Sequence, residues 1–422
     1  MRNKTRDIKL KQGHPKYNSK IGDIIPLSGS TTMYGEPQTF MFKVIAKLGA
    51  GEFTIEELSE AELKTERLLK VKNLKKNMSE AIFGQEKAIE EVESLLKMYA
   101  IGLNDDSKPL GSCLFSGPTG VGKTEVAKET ARLMGFKFVR FDMSEYMEAH
   151  EVSKLIGSPN GYVDSNRPGL LAENIPSDTP CVVLFDEIEK AHSKIYDLFL
   201  QMLDYGKIKN NKGVEIDFTQ CLIIFTSNLG VHERNAKPIG INSQVDEKAS
   251  IKAIEGHFRP ELRNRLDKII EFKSLTESES TLIVKKYLSE WTEKMKDKSL
   301  FLDYSPQIIP YLARKGYDPL MGARPLKKVI QSEVVAKVSQ KMIDEEKTHN
   351  LDVFVELVNG ETKVELKQRE YQEDLVIPNE DSSELEMSIE QYEALAADVL
   401  EKHGKEAEQE FRRRAQSAHG RE

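Results

Sequence analysis

Residues Gly117, Pro118, Thr119, Gly120, Val121, Gly122, Lys123 and Thr124 follow the spacing G-x-x-x-x-G-K-[ST], and no other stretch constrains this chain as tightly. The glycines let main-chain N–H groups close around a β-phosphate, Lys123 adds a mobile positive charge, and Thr124 can offer its hydroxyl to Mg²⁺. The surroundings agree with that use. Ser112 to Ser116 reads as a buried strand running into the loop, and Glu125 to Leu133 as the helix whose N-terminus faces the phosphates. A nucleotide-binding α/β fold is therefore expected.

The 422 residues suggest two or three domains, with 39% hydrophobic content to form their cores. No run approaches the roughly eighteen consecutive apolar residues of a membrane span, and the start of the chain lacks an apolar signal core, so a cytoplasmic protein without membrane contact is expected. A net charge of −8 weakly disfavours nucleic acid as a partner. Cys113, Cys181 and Cys221 stand far apart with no C-x-x-C pair, which suits small buried hydrophobes. The eight histidines show no metal-binding spacing, leaving Mg²⁺ with the nucleotide as the only ion implied.

Residues 1–75 form an N-terminal segment of unknown role: a basic, polar arm, a hairpin pattern around Gly49 and Gly51, and a helical stretch from Glu60 to Lys76. A kinase-type glycine loop is disfavoured at Gly49, because no V-A-I-K strand follows. Over 76–275, short apolar strands alternate with amphipathic helices, the pattern of a parallel sheet covered on both faces. Residues 276–368 read as a small helical lid followed by a hairpin at Asn359-Gly360. Residues 369–422 carry an acidic linker and a helical tail, with a possible capping box at Ser388 and Gln391. The sequence holds one phosphate loop, hence one ATPase module.

About sixty residues beyond Lys123, the apolar run Val182 to Phe185 ends in Asp186 and Glu187, at the sheet edge where nucleotides sit. Asp186 suits Mg²⁺ binding through water, and Glu187 the polarisation of an attacking water. A second apolar strand, Cys221 to Phe225, leads to Asn228, an amide within reach of a γ-phosphate or water. Arg265 offers an arginine finger, and Arg324 a second arginine at the start of a lid helix.

These motifs, with Phe83 to Ile89, Phe141 to Met147, Lys154 to Gly157, Leu184 to His192 and Tyr317 to Pro325, resemble the AAA+ Clp unfoldases. The similarity runs from roughly 72 to 345, most closely to the second ATPase module of ClpA, with that of ClpB next. It implies ATP as the nucleotide. Ile82, Phe83, Gly84 and Gln85 match the segment beside adenine, Asn228 the sensor asparagine, Arg265 a finger acting on a neighbouring subunit's nucleotide, and Arg324 the lid sensor. A finger acting in trans implies a ring, a homo-hexamer in this family, and ATPase activity without intrinsic protease activity.

Gly161, Tyr162 and Val163 match the pore loop that grips polypeptide, with Asp164 replacing the family's usual glycine, and Lys207 to Val214 match a second, basic pore loop. Ile239, Gly240 and Ile241 resemble the loop by which ClpA and ClpX dock on the ClpP peptidase. The resemblance thus implies an unfoldase that feeds unfolded or tagged proteins to a ClpP-type peptidase, with the termini open to an adaptor. Three alternatives stay open: a ClpP-independent remodeller or disaggregase, an accessory subunit of a resident Clp ring, and, least favoured, a DNA-directed motor.

Overall fold

Three strands are buried at every position: β5 (Gly111–Ser116), β7 (Cys181–Asp186) and β10 (Cys221–Ser227). Continuous apolar runs of this kind suit a parallel sheet covered on both faces. The computed structural model describes residues 5–9, 24–30, 37–49, 52–57, 59–157, 168–176, 179–229, 248–318 and 321–369. In it these strands form the centre of a five-stranded parallel sheet of order β11-β5-β10-β7-β6, with β6 (Lys137–Asp142) and β11 (Lys268–Glu271) at its edges. The fold class is α/β, as expected.

Alternate side chains feed two cores. Phe141, Val183, Phe185, Ile223 and Phe225 pack on one face, and Cys113, Phe115, Val182, Leu184 and Ile224 on the other. Phe185 lies between the rings of Phe141 and Phe225, at 5.6 and 5.4 Å, with Phe199 at 4.8 Å. All three cysteines are free and buried, and burial pushes the Cys113 thiol well up; this matches their reading as small hydrophobes.

The helices follow from local signals. α1 (Glu60–Ala81) begins at a capping box in which Ser59 accepts from the Glu62 N–H and Glu62 accepts from the Ser59 N–H. It packs on α2 (Glu86–Ile101) and α3 (Lys123–Met134). Short helices α4 (Val152–Ile156) and α5 (Leu170–Asn174) precede β7; α6 (Ser193–Tyr205), α7 (Lys248–His257) and α8 (Pro260–Arg265) complete the layer. Between α6 and β10, β8 (Lys207–Lys209) and β9 (Glu215–Asp217) form a small antiparallel hairpin.

A third core belongs to the smaller C-terminal unit: α9 (Glu277–Lys296), α10 (Ile308–Gly316), α11 (Arg324–Ile330) and α12 (Ala336–Asp344), joined around Leu288, Leu312, Leu326 and Val353. A π-turn, Gln331–Val335, links the last two helices. Strands β13 (Leu351–Val358) and β14 (Glu361–Gln368) form the anticipated hairpin, with Asn359 and Gly360 both at positive φ. A strand absent from the sequence reading, β12 (Leu300–Tyr304), pairs parallel with β13. Its five residues follow a long helix without a turn signal, so the strand depends on β13 as a partner.

At the N-terminus the hairpin of β3 (Pro37–Gly49) and β4 (Glu52–Glu57) forms as read. It is part of a larger antiparallel sheet, with β1 (Thr5–Lys9) beside β4 and β2 (Ile24–Ser30) beside β3. The polar arm of the sequence reading thus contributes two strands. The acidic linker and helical tail lie outside the described residues.

Candidate active site

β5 leads straight into the phosphate loop and α3 leaves it, as the spacing requires. Gly117, Gly120 and Gly122 all adopt positive φ, and a Cβ at Gly117 would meet the Phe272 carbonyl at 2.5 Å. At Gly122 a Cβ would meet nothing within 4 Å, so that glycine serves backbone conformation. Pro118 and Val121 are buried, and Thr124 is half-buried in the first turn of α3. Lys123 is 7% exposed, and its Nζ donates to the carbonyls of Gly117 (2.5 Å) and Pro118 (2.9 Å) and to Asn228 Oδ1 (2.9 Å). Burial lowers its pKa to about 8, against the pull of Glu189, Asp186 and Glu187 and with a small push from Arg324.

Asp186 and Glu187 end β7 beside the end of β10, where Phe225 pairs with Phe185. That register puts Thr226 next to both acids. Its hydroxyl donates to Asp186 Oδ1 and accepts the Glu187 N–H at 3.0 Å. Glu187 sits at φ 57, a conformation that costs a residue with a Cβ. Its carboxylate is fixed from both sides, Oε1 accepting from Asn228 Nδ2 at 3.2 Å and Oε2 pairing with Lys190 at 2.5 Å. Asn228 therefore joins the loop lysine to the acid, while its N–H donates to Glu189 Oε1 at 3.0 Å.

On the opposite side of the loop, Ile82 and Gln85 are buried and Phe83 packs against the core of the C-terminal unit. Gln85 Nε2 donates to the carbonyls of Lys273 (2.9 Å) and Val121 (3.3 Å), tying this segment to the phosphate loop. Gly84, at φ 74, lies where a Cβ would strike the Glu279 carboxylate at 2.3 Å; Glu279 belongs to the capping box that opens α9 with Thr276. The C-terminal unit also reaches the loop itself. The Ala323 N–H donates to the Gly120 carbonyl at 2.8 Å, which brings Arg324 to the phosphate side. Lys123, Asp186, Glu187, Asn228 and Arg324 are thus gathered from four separate segments.

Arg265 is not among them. It is exposed, and its guanidinium bonds to Asp204 (2.6 Å) and to the Glu261 carbonyl (3.0 Å). Gly161, Tyr162, Val163 and Asp164 lie outside the described residues, as do Ile239, Gly240 and Ile241. The residues flanking the former are described: Asn211 Nδ2 donates to the Gly157 carbonyl at 2.5 Å and Asn210 Nδ2 to that of Pro168 at 2.9 Å. Asn210 and Asn211 sit at the tip of the β8–β9 hairpin, which therefore bonds to the backbone at Gly157 and Pro168. Thr226, Glu189, Lys190 and Arg140, whose guanidinium bonds Asp186, were missed by sequence reasoning. Only the strand register between β10, β7 and β6 reveals the first and last of them.

The residues fit a nucleotide with its cation. Thr124 and Asp186 supply hard oxygen donors, the kind Mg²⁺ takes together with substrate phosphates. Among the described residues no group of three or more His, Cys, Asp or Glu could hold a metal ion alone. Buried Glu189 Oε2 has no hydrogen-bond partner, which leaves polar capacity beside Asn228.

A parallel sheet with a glycine-lined phosphate loop, an Asp-Glu pair, a sensor amide and a small lid docked on the loop defines an ATPase module of the AAA+ class. Residues 108–269 match the AAA domain (Cdc48 subfamily), and residues 275–355 the C-terminal, D2-small domain of ClpB protein. The chain is 40% identical over 273 residues to a ClpA homolog protein of Fuscovulum blasticum, covering 65% of this chain and 34% of the relative. It is 41% identical over 279 residues to the chaperone protein ClpB of Clostridium tetani (65% and 32%), and 38% identical over 307 residues to ClpB of Bacillus cereus (72% and 35%). The chain belongs to the Clp-type AAA+ ATPases, through a module of the kind that stands second in ClpA and ClpB, and it spans about a third of the length of these relatives.

Proposed function

We propose that this chain hydrolyses ATP and uses the energy to unfold proteins, threading them through the pore of a homo-hexameric ring. The observation that carries this reading is the division between its arginines. Arg324 lies at the phosphate loop, whereas Arg265 is held on the surface by Asp204, away from its own Lys123, Asp186 and Glu187. A site completed by a neighbour's Arg265 requires a ring. Such an arginine is worth about 10³ to 10⁵ in rate, so turnover should depend on assembly.

Within one subunit, Lys123 and the loop N–H groups bind the phosphates, and Gln85 and Ile82 set the adenine side. Glu187, aimed by Asn228 and Lys190, orients the attacking water and takes its proton. Mg²⁺, held by Thr124 and Asp186, would neutralise charge on the phosphates. The lid, seated on Gly120, transmits the change of ligand to the rest of the subunit. Tyr162, between Gly161 and Val163, is the residue we assign to polypeptide grip, and Ile239, Gly240 and Ile241 to docking on a ClpP-type peptidase. A cytoplasmic setting fits this role, and no described helix is long and apolar enough to cross a membrane.

The test is ATP-dependent loss of fluorescence from a degradation-tagged fluorescent protein, with and without the ClpP of the same source. Loss that needs ClpP, and that stops in Glu187→Gln and in the double variant Ile239→Ala, Ile241→Ala, supports every part of the proposal. ATP turnover with no loss in either condition refutes the unfoldase reading. A second reading, a peptidase-independent remodeller, is favoured by relatives named chaperone protein ClpB; reactivation of an aggregated enzyme without ClpP would identify it.

A further inference from the structure

Both carboxylate oxygens of Asp186 already have protein donors. Oδ1 accepts the Thr226 hydroxyl, and Oδ2 accepts the Arg140 Nε–H at 3.0 Å and forms an ion pair with Nη2 at 2.8 Å. The Asp186 side chain is 12% exposed while that of Arg140 is 45% exposed. Arg140 reaches Asp186 from edge strand β6, with water on its other side. It also has a second carboxylate: its Nη2 lies 3.3 Å from Asp142 Oδ2, and Asp142 is the register partner of Asp186 across the β6–β7 pair. Two acids thus stand side by side at the sheet edge with one guanidinium between them.

Such an arrangement has two ways of being balanced. A forked guanidinium can satisfy a poorly solvated carboxylate, and so can a divalent cation, but one carboxylate oxygen cannot serve both at full strength. Arg140 can shift toward Asp142 at low desolvation cost, because it is half in water already. Asp142 does not travel with it: its other oxygen is fixed by the Ser144 N–H (3.1 Å) and hydroxyl (2.6 Å), capping the short turn Met143–Glu145.

We propose that Arg140 is a positioning residue that sets the affinity of the site for its divalent cation, sharing the Asp186 carboxylate with the metal and moving to Asp142 when the metal takes Asp186. The inference rests on Asp186 as the residue that holds Mg²⁺. It gives the site a built-in resistance to cation binding without phosphate.

The experiment measures binding of the fluorescent nucleotide mant-ADP to the full 422-residue chain, once in Mg²⁺ and once in EDTA, and compares the ratio of the two dissociation constants. In Arg140→Ala, binding in EDTA weakens while binding in Mg²⁺ stays near wild type, so the ratio rises by about fivefold, the scale of a well-formed, partly exposed ion pair. Arg140→Lys, which keeps the charge without the fork, falls between the two and guards against loss of fold in the alanine variant. In Asp186→Asn the ratio collapses toward one. If Asp186→Asn collapses the ratio but Arg140→Ala and Arg140→Lys leave it unchanged, or weaken binding equally in both conditions, the role of Arg140 is refuted and that of Asp186 stands. If Asp186→Asn leaves the ratio unchanged, the metal reading fails and this inference fails with it.

Discussion

Gly322 stands between Met321 and Ala323 where the lid packs on the phosphate loop. Its φ is +59, and a Cβ there would lie 2.5 Å from the Gly120 carbonyl oxygen and 2.9 Å from that of Thr119, both backbone atoms that cannot step aside. Gly322→Ala therefore imposes two costs. The left-handed backbone costs a residue with a Cβ roughly 1–2 kcal/mol. The contact then lifts the turn off the loop, breaking the bond from the Ala323 N–H to the Gly120 carbonyl, worth about 1 kcal/mol. Gly360 isolates the first cost: it has φ +83 in the β13–β14 turn of the same unit, and a Cβ there meets nothing within 4 Å. Thermal or urea melts should show Gly360→Ala destabilised by about 1–2 kcal/mol and Gly322→Ala by about 2–3 kcal/mol. Nucleotide affinity, followed by mant-ADP fluorescence, should fall about fivefold in Gly322→Ala, the equivalent of about 1 kcal/mol, and stay at the wild-type value in Gly360→Ala. Equal stability losses with unchanged affinity in both would show that the lid does not bear on the phosphate loop.

Lys123, whose pKa is lowered to about 8 by burial, is about half neutral at pH 8 and is recharged by anionic phosphates, so nucleotide binding at that pH should take up about half a proton. Calorimetry in two buffers of different ionisation enthalpy measures this; zero uptake refutes it. For stability the sign is opposite to that of an ordinary paired lysine: between pH 8 and 10.5 the unfolded chain binds more protons, so this group's contribution rises with pH. Thr226→Val, nearly isosteric, leaves Asp186 Oδ1 and the Glu187 N–H without their partner. It should cost about 2 kcal/mol or more in a urea melt and lower ATP turnover through loss of Glu187 geometry, whereas wild-type turnover would show that Lys190 and Asn228 suffice to hold that acid.

The parts of the site that the sequence displayed are those whose chemistry demands local spacing. A phosphate loop needs its glycines, lysine and hydroxyl within eight residues, and Asp186 and Glu187 need only to end an apolar strand. Asn228 was visible because a second buried strand points it to the same edge. Thr226 and Arg140 were not, although each touches Asp186 as directly as any residue does: their role comes from which strand lies beside which, and the register of β6, β7 and β10 has no signature along the chain. β12 escaped notice for the same reason, and so did β1, whose partner β4 lies far along the chain. The contact of Gly84 with Glu279 was equally hidden, since each residue has a sufficient local explanation, one as a turn glycine and the other as a capping-box acid.

That hidden class of contacts joins the lid to the phosphate loop. Gly84 against Glu279, Gly120 against Met321 and Ala323, and Glu125 against Lys286 at 3.3 Å all join the sheet domain to the lid, each in or within a few residues of the phosphate loop or the segment 82–85. Only the Gly120 contact is backbone against backbone, so a shift of the lid there moves the loop backbone or loses the Ala323 bond, whereas Glu279 and Lys286 meet the sheet domain through flexible side chains. The same loop backbone supplies the carbonyls that hold Lys123, and Lys123 shares Asn228 with Glu187. The lid, the loop lysine and the Glu187 carboxylate are therefore linked through Ala323, Gly120, Gly117, Lys123, Asn228 and Glu187 by hydrogen bonds and the loop backbone. A lid displaced at Gly120 therefore moves the backbone that holds Lys123, and the close approach of Met321 and Ala323 to Gly120 leaves little room to absorb that movement.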